Sequence, residues 1–383
     1  MRKGDDEITV LHVGHTFEVQ KNDRLKQWKV RFYQEGDETG IIDLMNLVFR
    51  GPKHVRANTE LWSWKYKTAP RGFLAVVAED HGKLVGHMGL QLMDVKVGNR
   101  IITGSQACDL CVHPDYLRQG MSLAMGKTLV KKAKDERVFL TYGFPADRGP
   151  SYYGFIKYGW FDVSKLPVLE TYFDTQRAVE GKFERLRGME PILKRAGECV
   201  DWFFSIWRQH AMTSIENIEI SQVSRFDRGI DNIWNDVSKG YGIILVRDCR
   251  YLNWRYFAKP DADYYTIVAK RDGRIQGYAV VSKSKSGRRD IGYIVDILSV
   301  SKEVFFGLVH ASSVYLSRQS VDSVRCWMQR DQFGYQALKK SGFTPYLSRA
   351  VMRFTARVNS NEFSQTYKEA GEWYVTPGDS DLV

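Results

Sequence analysis

Long apolar runs are missing from this chain. No stretch approaches the ~20 consecutive apolar residues that a membrane-spanning helix needs. The first residues, Met-Arg-Lys-Gly-Asp-Asp-Glu, are too polar for a secretory signal, so a cytoplasmic protein is expected. Cysteine is scarce, with five in 383 residues, at 108, 111, 199, 249 and 326. An odd count in so large a chain argues against a disulfide framework. Cys108 and Cys111 form a Cys-x-x-Cys. They lie in an apolar segment with no second pair nearby, which fits core thiols better than zinc ligands. The eight histidines show no ligand spacing, so no metal is expected. Basic runs are also short. None is long enough to make a nucleic-acid stripe, and a nucleic-acid partner is not expected.

What remains is ordinary in bulk and biased in charge. Hydrophobic residues are 43% and charged residues 26%, as in a soluble globular protein. The length allows two or three domains with cores of their own. A net charge of +11 suits an anionic partner or serves solubility.

One stretch combines several local signals. Gly104–Val112 is apolar enough for a buried strand. His113-Pro-Asp-Tyr116 ends it, because Pro114 cannot continue a ladder. From Ser122 to Glu136 the pattern is helical, with Met125, Leu129, Val130 and Ala133 on one face and four lysines in water. A strand, a tight Gly-containing loop and a helix start make an anion site. The first helical amides lack internal partners, and the helix dipole adds positive character. Gly120 lets backbone approach a phosphate, and Arg118 adds a full charge. Many such junctions bind nothing, so the loop alone does not decide.

The chain also repeats itself. Leu61-Trp-Ser-Trp-Lys-Tyr-Lys-Thr-Ala-Pro70 returns as Tyr251-Leu-Asn-Trp-Arg-Tyr-Phe-Ala-Lys-Pro260, with Trp64 and Trp254 offset by 190 residues. Each is followed by a strand and a Gly-containing hairpin turn, Glu79–Gly82 and Arg271–Gly273. Ala107–Val112 has its counterpart in Ile294–Val300, and Tyr152–Trp160 in Tyr335–Phe343. In the second copy the Gly loop is gone. Ser301–His310 puts bulky side chains where amides would face a phosphate, so this copy is expected to shape the acceptor site.

Val112-His-Pro-Asp-Tyr116, Gly120, the helix and the Tyr152–Trp160 segment ending in Gly-Trp together resemble the GNAT superfamily of N-acyltransferases over most of residues 29–165. The family loop carries Arg or Gln, two residues, Gly, one residue, then Gly or Ala. Here Leu117 and Ser122 depart from it, Gly120 fits, and Arg118 brings the charge one place late. The resemblance implies an α/β (α+β) fold of two GNAT-like domains, each a mixed, mostly antiparallel sheet flanked by helices. Its expected parts are an extension (1–28), an acyl-CoA-binding domain (29–165), a helical linker (166–216), a degenerate copy (217–356) and a tail (357–383).

By the same resemblance, acetyl-CoA or another acyl-CoA is the cosubstrate and a small primary amine the acceptor. The donor lies along the backbone of Leu110, Cys111 and Val112 and the loop Leu117, Arg118, Gln119, Gly120, Met121 and Ser122. Asp109, the carboxylate inside the strand, is a candidate base if burial raises its pKa; a structural Asp bonded to backbone is the alternative, which its twin Asp296 favours. Phe155 stands where the family often has a tyrosine acid, so Tyr153 is the candidate acid and Tyr152 its neighbour. Asp147 and Arg148 are candidate acceptor contacts. Trp62, Trp64, Tyr66, Trp254 and Tyr256 either stack on a ligand or pack. From Leu193 to Trp207 an apolar stripe reads as a helix packed between domains or lying on a membrane surface. Similarity to tandem GNAT proteins points to an amino-sugar of surface polysaccharide assembly. Two other readings stand beside it: a Fem-type transferase using aminoacyl-tRNA, and a non-catalytic acyl-CoA sensor.

Overall fold

The computed structural model describes residues 27–50, 56–147, 149–173, 217–260, 263–286, 289–346, 352–360 and 370–381. The Glu7–Val13 strand, Arg148, Cys199 and the Leu193–Trp207 stripe lie outside them.

The first half runs β1 (Lys29–Phe32), α1 (Glu38–Val48), α2 (Thr59–Lys65), β2 (Phe73–Asp80), β3 (Lys83–Val97), β4 (Arg100–Val112), α3 (Met121–Asp135), β5 (Leu140–Gly143), α4 (Pro150–Lys157), β6 (Phe161–Leu166) and β7 (Val168–Tyr172). The second half gives β8 (Glu219–Gln222), α5 (Gly229–Val237), β9 (Ile243–Leu245), α6 (Cys249–Tyr256), β10 (Tyr264–Arg271), β11 (Arg274–Ser286) and β12 (Arg289–Ser299). It continues through α7 (Lys302–Arg318), β13 (Ser323–Trp327), α8 (Phe333–Lys340), β14 (Thr344–Pro345), β15 (Met352–Val358) and β16 (Trp373–Tyr374).

Local chemistry explains the boundaries. Asn58 accepts from the Leu61 amide at 2.7 Å and Asp248 from the Tyr251 amide at 2.7 Å, so α2 and α6 start on the same kind of side-chain cap. His81 and Gly82 make the two-residue turn between β2 and β3, both with positive φ. The sequence breaks β3 into pieces at Leu84–Gly86 and Met93–Val97, but it is one strand. Val85 to Gln91 is buried throughout, because α1 covers one face and α3 the other. A strand covered on both sides shows no alternation to read.

Two sheets form, each mostly antiparallel; the first has two parallel pairings, β4 with β5 and β9 with β16, and the second has one, β12 with β13. The first has the order β1-β2-β3-β4-β5-β15-β6, with β9 on β3 and β16 on β9; the second is β14-β7-β13-β12-β11-β10-β8. The halves exchange strands. Val168–Tyr172, which the sequence puts in a linker, pairs antiparallel with β13 and β14. Met352–Val358, from the end of the second half, pairs with β5 and β6. Met352–Val358 alternates apolar and polar residues and Val168–Tyr172 is a short β-prone run, so nothing local marks the sheet they enter. One core cluster joins the halves, holding Trp64, Tyr142, Trp254, Tyr256 and the tail residues Trp373, Tyr374 and Val375.

Candidate active site

The junction between β4 and α3 is open. Residues 117–120 are exposed, and a Cβ on Gly120 would meet nothing within 4 Å. Arg118 has φ 63° and Gly120, the residue before α3, has φ 77°. Left-handed residues in a turn before a helix are the backbone from which anion nests are built. Among the described residues, no protein acceptor takes the N–H groups of residues 118–123, and the first tie is Ala124 to the Gly120 carbonyl at 3.0 Å. Trp28 donates to the Gln119 side chain at 3.1 Å and tethers the loop from outside. Met121 is 2% exposed and packs into the core, so only its amide is offered. Residues of this kind fit a diphosphate at the start of a helix.

Beside the loop, the sheet splits. β4 and β5 pair in parallel only through Gly104–Leu140, Ser105–Thr141 and Gln106–Tyr142. Among the described residues, the β5-facing edge of β4 has no strand partner beyond Gln106, so the slot between the two strands is left unbridged by backbone pairing. On its other edge β4 carries a bulge. His87 pairs with Cys111 and Gly89 with Cys108, so Asp109 and Leu110 oppose Met88 alone. Asp109 has φ 52°, a strained value for a non-glycine residue. Cys111 and Val112 are buried on the last rungs beside β3.

Three side chains hold the bulge. Lys65 Nζ donates to Asp109 Oδ1 at 2.8 Å, Tyr66 OH to Oδ2 at 2.6 Å, and His87 Nδ1 to the Asp109 carbonyl at 3.1 Å. A raised pKa, the condition for Asp109 to act as a buried base, is not found. Burial pushes against its charge, but the Lys65 ammonium outweighs burial and holds the carboxyl below its ordinary range. Burial opposes the charge on Lys65 too. Asp109 and Asp381 overcome it and keep that ammonium above its usual pKa. His87 is driven down by burial and stays neutral, with Nε2 buried and unpartnered among the described residues. Burial raises the thiols of Cys108 and Cys111, which are unpaired core residues. No cluster of metal-ligating side chains occurs among the described residues.

Asp381 comes from the tail. Its carboxylate takes Lys65 at 2.9 Å and the Gln106 amide at 2.9 Å, where β4 and β5 part. The tail reaches this point through the second half. There β12 and β13 also pair briefly, from Ile291–Ser323 to Tyr293–Arg325, and then separate. The gap is taken by the chain itself: Tyr374 donates to the Ile297 carbonyl, and Gln332 to that of Trp373. Arg247, fully buried, donates to Asp379 at 2.7 Å and Asp296 at 3.3 Å. Arg255, the repeat equivalent of Lys65, donates to the Ser380 carbonyl at 2.8 Å. Tyr256 donates to Asp296 at 3.0 Å as Tyr66 does to Asp109, so a tyrosine–carboxylate clamp at a strand bulge recurs in both halves. α7 begins on its own cap, the Ser301 hydroxyl, 3.3 Å from the Val304 amide.

The remaining candidates scatter. Tyr153 is 54% exposed on α4 and touches Tyr152 edge-on; Tyr152 donates to Asp162 at 2.6 Å. Asp147 is an ion-pair partner of Arg353 at 2.6 Å. Trp62, Trp64 and Trp254 are buried and pack. Lys65, His87, Gln106 and Asp381 were not picked out from the sequence. Only Lys65 had a signal, its place in the repeat opposite Arg255.

Residues 29–161 match the model of the acetyltransferase (GNAT) domain family. No curated protein matches the chain in sequence. Many solved structures resemble it, and three of them serve as examples. An Enterococcus faecalis V583 protein described as a probable N-acyltransferase has 12% identity and TM-score 0.59, covering 87% of this chain and 73% of that one. A GCN5-related N-acetyltransferase from Anabaena variabilis gives 12%, 0.58, 87% and 73%. Saccharomyces cerevisiae N-myristoyltransferase with bound myristoyl-CoA gives 11%, 0.60, 89% and 84%. Identities this low speak for the fold: two GNAT-like halves. The domain match supports acyl transfer in general, with acyl-CoA as cosubstrate.

Proposed function

We propose, on the premise that residues 29–161 are a GNAT domain, that this chain is an N-acyltransferase moving an acetyl or longer acyl group from CoA to a primary amine. The open loop at residues 118–122 carries the reading, because its free amides stand where a CoA diphosphate would bind. From there the pantetheine arm runs into the slot beside β4 and pairs with backbone of Leu110 to Val112. The bulge, fixed by Lys65, Tyr66 and His87, aims a main-chain N–H at the thioester oxygen. As the amine attacks the carbonyl carbon, that oxygen gains negative charge and the N–H stabilises it. The C–S bond then breaks and the thiolate leaves.

Proton handling falls to the two faces of the slot. Asp109 and Asp381 put two negative charges around one Lys65, and the surplus charge draws and orients an ammonium acceptor. With its pKa lowered by Lys65, Asp109 positions the acceptor, and water removes the acceptor's proton. On the other side, the exposed Tyr153 hydroxyl is the candidate donor to the thiolate. An amino-sugar of surface polysaccharide assembly is the acceptor we favour, and the cytoplasm the compartment.

Titration calorimetry with CoA, followed by a thiol-release assay over a panel of amines and amino-sugars, tests the reading. Micromolar CoA binding and release that depends on an amine are expected. Absence of CoA binding would sink it, while binding with no acceleration by any amine would leave a sensor.

A further inference from the structure

α3 carries a second positive feature, away from the loop. Lys127, Lys131 and Lys134 follow at i, i+4 and i+7 and so share a face. Lys157, in the last turn of α4, and Arg357, on β15, complete a ring around a cavity of about 360 Å³. Its floor is Gly126, Val130 and Tyr158. Gly126 is what lets the Tyr158 ring close the floor, since a Cβ there would lie 2.9 Å from it.

Five cations face this cavity, and none forms an ion pair among the described residues. By contrast Lys132, between two of them, pairs with Glu136 at 2.7 Å. Arg357 is the telling member. It is half-buried and, among the described residues, donates to the Tyr158 carbonyl and, at 3.1 Å, to the Asn359 side chain and pairs with no carboxylate. Burial alone pulls its guanidinium below the ordinary range. A half-buried, uncompensated arginine beside four like charges costs stability in the free protein. A purely solvated lysine face would incur no such cost, because it would not bury the arginine.

We propose that this cavity is a second anion site, built for a phosphate-bearing group attached to a planar or apolar body. The guanidinium and ammonium groups hold the phosphate, and the Tyr158 floor accepts the body. Two sources share this chemistry. The group is either the 3′-phosphate end of the acyl donor, reached along α3 from the loop, or a separate phosphorylated ligand; the donor case rests on the acyl-CoA reading.

Calorimetry on the full chain at low salt separates them, using CoA, 3′-dephospho-CoA and inorganic triphosphate. The exposed pair Lys131→Ala/Lys134→Ala supplies a variant that keeps the fold. If the donor fills the cavity, the wild type binds CoA about 10-fold tighter than dephospho-CoA, and the variant loses that gap. If a separate ligand does, triphosphate binds even under saturating dephospho-CoA, and the variant abolishes it. Equal binding of CoA and dephospho-CoA, with no triphosphate binding, overturns the site. Dephospho-CoA affinity reports the loop by itself, so failure at the loop and failure at this cavity are read separately.

Discussion

Trp64 and Trp254 stack on each other, 5.0 Å between ring centroids and 14° from parallel, and each indole N–H donates to the other's main-chain carbonyl, at 2.8 and 3.1 Å. These residues are equivalents in the internal repeat. The pair therefore lies on an approximate two-fold relation between the halves, and burying both rings ties the halves into one core. Trp64→Phe keeps most of the apolar area but orphans the Trp254 carbonyl, which predicts a loss of about 1–3 kcal/mol. Trp64→Ala predicts about 3–5 kcal/mol. Urea unfolding followed by circular dichroism measures both, and a single transition is expected in each case.

Gly120→Ala tests the loop. No atom obstructs a methyl group, so the penalty is backbone strain at φ 77°, about 1 kcal/mol. Turning one amide away weakens an anion nest, so CoA affinity is expected to fall roughly 10-fold with little change in kcat for bound substrate. Unchanged CoA affinity in a folded variant would take the loop out of the site.

Asp381→Asn removes one of the two carboxylates on buried Lys65. The bulge keeps its other clamps, Tyr66 and His87. We expect KM for the amine to rise several-fold while CoA binding holds. Asp109→Asn goes further, because it removes the charge paired with buried Lys65 and leaves one oxygen where Lys65 and Tyr66 now use two; about 3–5 kcal/mol of stability is expected to go with it. Equal stability of the two variants in urea would contradict the cluster.

His87 predicts an acid-sensitive fold. Its pKa is lowered in the native state by burial, so the unfolded chain binds the proton more readily. The stability it contributes is present above its unfolded pKa of about 6.5 and is lost as pH falls toward its native pKa. Asp109 adds the same sign at lower pH. His87→Gln is expected to flatten the slope of stability between pH 7 and 5, measured by urea midpoints across that range.

The exchanged strands predict that the halves do not fold alone. A fragment of residues 29–165 lacks Met352–Val358, and one of 217–356 lacks Val168–Tyr172. Each is expected to be insoluble or molten when expressed by itself. A cooperative thermal transition from either fragment would count against this.

Much of this was legible in the sequence where the signal is local. Hairpin turns, the α3 stripe, the loop glycine and the repeated Trp-x-Tyr all declare themselves within a few residues. Asp109 was visible, but its charge state was not, since that depends on Lys65 from α2 and Asp381 from the tail. Neither neighbour is near it in the chain. Tyr153 was chosen because it lies two residues before Phe155, which cannot donate; its exposure on α4 was not legible in the sequence. The strand exchange left no trace because β7, a short β-prone run, and β15, an alternating one, would suit either sheet.

That exchange also bears on how the protein comes off the ribosome. β5 and β6 emerge with an empty lane between them, and the strand that fills it, Met352–Val358, follows only after most of the second half. Until then the nascent first sheet shows two raw hydrogen-bonding edges, each a template for any passing chain. Chaperone cover during synthesis, rather than the stability of the finished molecule, would then set how much of it a cell can make.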